Sequence, residues 1–297
     1  MTQVKKDYAK PEQAFRYPGG KRRIAPDILN WFPSAVTDQL AVSRSVCYCE
    51  PFVGSGAILA CVLRSLPKTC SVVLGDMDVG VASFWRCVAD PRKADELARR
   101  VNEYRVPRVD DFYRFKEADG THDGDDVDAA FRKMVLHFIS FSGVGAMAGG
   151  PIGGRNQRSD FDVTCRWNPE RNVRNLMSLS YYLGRLGRVE VLHGDFANTL
   201  ARVPADGFAY LDPPYYLKGG ELYKHNTSHA DHERLAATLK SAPYEWVLSY
   251  DDHPWVRGAY GGWADVNEFR MTATIDTKRG QGKRRKNNEL VVTKRQA

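Results

Sequence analysis

The 297-residue sequence contains no run of about 18 apolar residues, which excludes a membrane-spanning helix by hydropathy. Its first residues, Met1-Thr2-Gln3-Val4-Lys5-Lys6-Asp7, lack the apolar centre of a secretory signal, so a cytoplasmic protein is expected. The six cysteines form no Cys-x-x-Cys pair and meet no histidines at zinc spacing; most sit among apolar residues, as reduced core cysteines do. No Gly-x-x-x-x-Gly-Lys-Ser/Thr element is present, so a phosphate-cradling loop of that type is excluded. A full Gly-x-Gly-x-x-Gly is missing too, and a nucleoside without a pyrophosphate is a better ligand expectation than a dinucleotide. What remains is ordinary globular composition, 43% hydrophobic and 27% charged, in a chain long enough for one large domain or one domain carrying an insert. The net charge of +7 favours a polyanionic partner.

The stretch with most chemistry is Tyr210-Leu211-Asp212-Pro213-Pro214-Tyr215-Tyr216. It follows an apolar run, Phe208 to Leu211, that reads as a buried strand opening onto a ligand crevice. Two successive prolines stiffen the turn and fix where the backbone carbonyls point. The Asp212 carboxylate and a neighbouring carbonyl then accept two hydrogen bonds from one amino group, while Tyr215 offers a π face to a flat heterocycle. That set suits an exocyclic amine on a base, a poor nucleophile whose lone pair two acceptors would draw toward tetrahedral geometry. An ordinary strand-ending turn has the same letters, so the rest of the chain decides.

Upstream, Phe15-Arg16-Tyr17-Pro18-Gly19-Gly20-Lys21 precedes a helical pattern from Ile24 to Phe32; Lys21 is placed to meet a carboxylate and Tyr17 to pack on something flat. A strand-like Ser45 to Cys49 leads into Glu50-Pro51-Phe52-Val53-Gly54-Ser55-Gly56 and an apolar helix, Ala57 to Leu66, the opening of a nucleotide-binding α/β unit. The next strand, Ser71 to Leu74, ends at Gly75-Asp76-Met77-Asp78, with Asp76 22 residues after Gly54, the spacing at which an acid reaches ribose hydroxyls. A helix is predicted over Val79 to Ala89.

From about 91 to 188 the strand-helix alternation stops. Glu117 to Asp128 reads as an acidic solvated loop, Ala129 to Ser142 as a helix, and 143 to 154 as a glycine-rich run. Between Arg155 and Arg188 seven arginines face three acids, interleaved with Asn156, Gln157, Trp167 and Asn168. Such side chains bind phosphates and match base edges, so a nucleic-acid surface is expected, with Arg155, Asn156, Arg158, Arg166 and Arg171 as its DNA-binding residues. Alternation then resumes: strand Val189 to His193 ending at Gly194-Asp195-Phe196, a loop from Lys218 to Thr227 read as a flap, a helix capped by Ser228, strand Glu245 to Ser249, and a final strand, Glu289 to Thr293, after a basic run from Lys278 to Lys286.

Together these elements resemble the Dam-like, D12-class adenine-specific DNA methyltransferases, most closely their phage and restriction-modification members. The resemblance rests on Tyr17-Pro-Gly-Gly-Lys21, Glu50-Pro-Phe-Val-Gly-Ser-Gly56, Gly75-Asp-Met-Asp78, Gly194-Asp-Phe196 and Asp212-Pro-Pro-Tyr215, in that order over nearly the whole chain. It implies an α/β, Rossmann-like S-adenosylmethionine-dependent methyltransferase sheet, formed by 1–90 and 189–297, with an inserted, mainly helical target-recognition domain at 91–188. It further implies methyl transfer from S-adenosylmethionine to adenine N6 in a specific double-stranded DNA sequence, by base flipping, in the cytoplasm of a bacterial cell or phage-infected host, with no metal and no obligatory protein partner. Asp212, Pro213, Pro214 and Tyr215 fall on the catalytic positions. Tyr17, Lys21, Glu50, Phe52, Gly54, Gly56, Asp76, Asp195, Phe196 and Asp212 fall on cofactor positions, with Asp76 at the ribose and Asp195 and Phe196 at the adenine ring. The glycine-rich run 143 to 154 stands where the best-known members carry an Asn-rich hairpin, so their recognition sequence is not carried over. Transfer to cytosine N4, action on RNA, and a catalytically inactive DNA-binding protein are the alternatives.

Overall fold

A computed structural model describes residues 8–16, 20–37, 46–216, 228–270 and 288–295. Tyr17, the expected flap from Lys218 to Thr227 and the basic run from Lys278 to Lys286 lie outside the described residues.

The strands are β1 (Cys47–Glu50), β2 (Ser71–Asp76), β3 (Arg188–His193), β4 (Phe208–Leu211), β5 (Glu245–Asp251), β6 (Ala264–Arg270) and β7 (Asn288–Lys294). They form one sheet in the order β3-β2-β1-β4-β5-β7-β6, parallel from β3 through β5, with β7 running antiparallel between β5 and β6. The order reverses between β1 and β4, and the carboxyl ends of strands flanking such a reversal open a crevice. Period-two alternation divides the strand side chains between the two faces: Tyr48 and Tyr210 join one apolar cluster, Cys47, Cys49, Ala209 and Leu211 the other.

The helices are α1 (Ala25–Leu29), α2 (Ser34–Thr37), α3 (Ala57–Val62), α4 (Val79–Ala89), α5 (Pro91–Glu103), α6 (Val109–Glu117), α7 (Asp126–Ile139), α8 (Pro169–Gly184), α9 (Phe196–Leu200), α10 (His229–Ser241) and α11 (Pro254–Gly261). Local chemistry sets their starts. Asp78, Asp90, Asp125 and Asn168 accept backbone N–H groups of the first turns of α4, α5, α7 and α8, and proline follows the cap in α5 and α8. Ser228 and Asp231 form a reciprocal capping box on α10.

Between α5 and α8 the insert is helical, with only an isolated Ser140–Pro151 bridge of extended pairing among the described residues. Its helices share one apolar cluster with the sheet: Leu97, Phe131, Met134 and Leu176 belong to the same group as Tyr48, Val72 and Leu74.

Two sequence expectations are corrected, and one strand had no expectation. The stretch from Glu117 to Asp128 is not a solvated loop throughout, because the buried Lys133 ammonium draws in Asp119 at 2.9 Å as well as Asp78, and Asp126 pairs with Lys93 at 2.7 Å. The helix expected to reach Leu66 stops at Val62, where Pro67 lies ahead and Arg185 donates to the carbonyls of Leu63, Arg64 and Leu66. The polar sequence of β6 hid it as an outermost strand.

Candidate active site

β4 is buried along its length and delivers Asp212 to the crevice between the ends of β1 and β4. A 3₁₀ turn, Lys21–Arg23, brings Lys21 to the same point from the other end of the sequence. The Lys21 ammonium, 3% exposed, lies 2.5 Å from Asp212 Oδ1 and 3.0 Å from Glu289 Oε1, and donates to the Tyr215 hydroxyl at 2.9 Å. The Tyr215 hydroxyl in turn donates to Glu289 Oε1 at 2.9 Å. One buried cation therefore ties Asp212, the aromatic three residues on and an acid from β7. The tether fixes the Tyr215 ring. Burial raises the Asp212 carboxyl to about 6, with Lys21 opposing the rise and Glu289 adding to it. Burial works against the Lys21 charge as well, but the surrounding acids hold its ammonium well above the ordinary lysine range.

β1 ends at Glu50, also buried, whose Oε1 accepts the Tyr48 hydroxyl at 2.5 Å. Burial, with a further push from Asp212, raises this carboxyl to about 8. The turn that follows is a left-handed one, Gly54 at φ 48° and Gly56 at φ 66°. An added Cβ at Gly56 would lie 2.3 Å from the Trp85 ring, whose indole N–H donates to the Gly54 carbonyl at 2.9 Å, so the residue must be glycine on both counts. Asp76, ending β2, accepts the N–H of Gly54 and of Asp78, each at 2.9 Å, and is raised to about 7 by burial and then by Asp78. Two backbone donors aim this carboxylate and leave lone pairs for hydroxyl groups.

At the next strand end Gly194 donates to the Asp76 carbonyl at 2.9 Å, so the ends of β2 and β3 meet. Phe196 sits 5.6 Å from Phe52, centroid to centroid, while Asp195 caps α9 and takes a two-point contact from Arg234 at 3.0 and 2.5 Å. The Arg234 guanidinium lies 4.6 Å from the Phe196 ring. Glu50, Phe52, Gly54, Gly56, Asp76, Asp195 and Phe196 thus line up along the carboxyl ends of β1, β2 and β3, and Lys21, Asp212 and Tyr215 stand beside them at β4. Among the described residues, no group of three or more His, Cys, Asp or Glu is placed to hold a metal ion.

The expected nucleic-acid residues are not gathered in one place. Arg155, Asn156 and Arg158 are exposed on the loop after the glycine run, with the Arg155 guanidinium 5.1 Å from the Tyr113 ring. Arg166 and Arg171, also exposed, line a cavity against the chain's first segment, and Arg171 pairs with Glu12 at 2.9 Å. Part of the interleaved polar set serves the fold: Gln157, at φ 49°, spends its amide on Ile152, Gly154 and Val163, Asn168 caps α8, and the Trp167 indole donates to Tyr104.

Two residues of the site escaped sequence reasoning. Glu289 is the second residue of β7, a lone acid after a basic run in the sequence; an acid on the inward face of a strand was the available signal. Arg234 had none, being one of several charges on an amphipathic helix.

Comparison with known proteins gives the family. The family model described as D12 class N6 adenine-specific DNA methyltransferase matches residues 17–273. A curated relative, Type II methyltransferase M.MjaIII of Methanocaldococcus jannaschii, is 26% identical over 214 residues, spanning 67% of this chain and 68% of its own.

Proposed function

This chain belongs to the D12 class N6 adenine-specific DNA methyltransferases and so methylates adenine in DNA, and we propose that it does so on double-stranded DNA, with S-adenosylmethionine, through the Asp212 to Tyr215 turn. The observation that carries the assignment of roles is the buried Lys21–Asp212–Tyr215–Glu289 cluster at the reversal of strand order. A target adenine must leave the helix, because its N6 is out of reach inside the base stack. Tyr215, its hydroxyl anchored on both sides, offers its ring face to the extruded base. Asp212 accepts one N6 hydrogen and the Pro213 carbonyl the other, turning the lone pair away from the ring. These contacts strengthen as positive charge develops on N6, so they favour the transition state over the ground state. Asp212, raised to about 6, is largely ionised at neutral pH and serves as an acceptor for the proton that N6 must lose.

The left-handed glycine turn, the aimed Asp76 carboxylate and the Phe52–Phe196 pair suit an adenosine, and the acids Glu50 and Asp212 suit a cationic group near it. Bound there, S-adenosylmethionine supplies an electrophilic methyl group on a sulfonium. Asp76 would take the ribose hydroxyls and Phe52 and Phe196 the adenine ring. The insert, 91–188, would select the sequence, with Arg155, Asn156, Arg158, Arg166 and Arg171 at the DNA, and the site of action would be the cytoplasm. The testing variant is Asp212→Ala, which should abolish transfer while largely sparing DNA affinity; near-normal turnover would remove Asp212 from the mechanism.

A further inference from the structure

Away from Asp212, a cavity of about 550 Å³ opens between the segment Glu12–Arg16 and the start of α8. Its wall carries four arginines, Arg16, Arg22, Arg166 and Arg171, against a single acid, Glu12. That acid is already shared, its two oxygens taking Arg22 at 3.1 Å and Arg171 at 2.9 Å, and the Arg171 contact holds it below the usual carboxylate range. Arg16 and Arg166 stand close enough that, after burial, their mutual repulsion depresses Arg16. Like charges gathered without an equal number of acids call for an anion.

The insert is shaped to admit them. Gly143, at φ 73°, leaves space where an added Cβ would come within 2.9 Å of Arg16 Cβ. The first segment is held from both sides: Asn175 binds the backbone of Glu12 and Gln13, and the Ala14 N–H donates to Ser55 in the glycine turn at 2.8 Å. Asn172, 6% exposed, lines the same cavity, and its Nδ2 is buried without a hydrogen-bond partner among the described residues.

Base-edge recognition and phosphate binding are distinguishable here. With the Asn175 and Asn168 side chains spent on the protein, the cavity presents mainly donors, the guanidinium groups and the Asn172 Nδ2, and a wall of donors suits phosphate oxygens. The volume admits a phosphate with its sugar. We infer that this cavity seats one backbone phosphate of the DNA substrate, gripped jointly by Arg16 from the first segment and Arg166 from the insert, with Glu12 releasing Arg22 or Arg171 to it. The inference rests on DNA being the substrate. It also gives the first segment a physical link between bound DNA and the glycine turn, through Ala14 and Ser55.

The test is binding of a fluorescent random-sequence duplex across a salt series by Arg16→Ala, Arg166→Ala and the double variant, with Arg16→Lys as a charge-conserving control. Thermal unfolding and methyl transfer by the unaltered enzyme are measured alongside. One lost phosphate contact makes the slope of log affinity against log salt shallower by about 0.9. A shared seat predicts that shift in each single variant and no further shift in the double variant, with Arg16→Lys close to the unaltered slope and unfolding midpoints unchanged. Additive shifts in the double variant would overturn the shared seat, as would unchanged slopes. A loss confined to substrates that are methylated, with random duplex unaffected, would replace it with base reading. Failure of the unaltered enzyme to bind or methylate duplex DNA would overturn the double-stranded substrate together with the seat; unchanged slopes in an enzyme that does methylate would overturn the seat alone.

Discussion

Replacing Lys21 with methionine separates a buried cation from two acids and leaves a side chain of similar length in its place. Lys21 and Glu289 are each 3% exposed and Asp212 is 26% exposed at the side chain, so solvent cannot replace the lost partner at Glu289 and replaces only part of it at Asp212. Breaking a buried pair in this way costs about 3 to 5 kcal/mol. Asp212 has a partial escape: its carboxyl, raised to about 6 even beside Lys21, rises further without it and takes up a proton more readily at pH 7, so the expected loss at neutral pH lies near the lower figure, about 3 kcal/mol. The sign follows from the direction of the shift. A carboxyl raised in the folded state contributes stability that is present at low pH and lost as pH rises through its folded value, and removal of Lys21 raises Asp212 further. Urea unfolding of Lys21→Met and the unaltered enzyme should therefore give a difference that is small near pH 5 and grows toward pH 8. The acid limb of kcat/KM for methyl transfer should move to higher pH in the variant, because a protonated Asp212 cannot accept the N6 hydrogen. A difference below about 1 kcal/mol at every pH, or an acid limb that stays put, would refute the claim that Lys21 sets the charge on Asp212.

Glu289→Gln keeps the shape of its side chain and removes one acid beside Asp212, so the acid limb should shift to lower pH, and an unchanged limb would place Glu289 outside the electrostatics of the site. Gly56→Ala combines a left-handed backbone with a 2.3 Å approach to Trp85, and should cost about 2 kcal/mol or more in urea unfolding together with most of the cofactor affinity; unfolding within 0.5 kcal/mol of the unaltered enzyme, a difference of about the size of a neutral surface change, would contradict it. With Glu50 raised to about 8 and Asp76 to about 7, a cationic cofactor whose hydroxyls face Asp76 should expel about half a proton or more on binding at pH 7. Titration calorimetry in buffers of different ionisation enthalpy measures this, and proton uptake would contradict it. The same two groups make the cofactor-free protein lose stability as pH rises from 6.5 to 9, a range above the neutralisation of His137, which burial lowers to about 4.

The parts legible in the sequence were those written in local chemistry. Strand β4 and helix α4 fall on the predicted residues, because a short apolar run and an Asp cap are sufficient signals. The α/β sheet and the family followed from ordered short motifs. Glu289 was illegible in its role because its partners lie 268 and 74 residues away, in Lys21 and Tyr215, and only the antiparallel insertion of β7 beside β5 brings them together. The arginine excess of the insert was legible as charge and not as placement: Arg185 turns inward to cap carbonyls, Arg188 pairs with Glu190, and Arg166 and Arg171 join the first segment. Buried Lys133 likewise converts an acid expected in solvent into an internal partner.

The most direct measurement is transfer of a labelled methyl group from S-adenosylmethionine to unmethylated duplex DNA by the unaltered enzyme and by Asp212→Ala, followed by digestion to nucleosides. The account predicts label in N6-methyldeoxyadenosine with the unaltered enzyme and none with Asp212→Ala, although both bind the duplex. Label in N4-methyldeoxycytidine, or label in N6-methyldeoxyadenosine that survives the loss of Asp212, would contradict it.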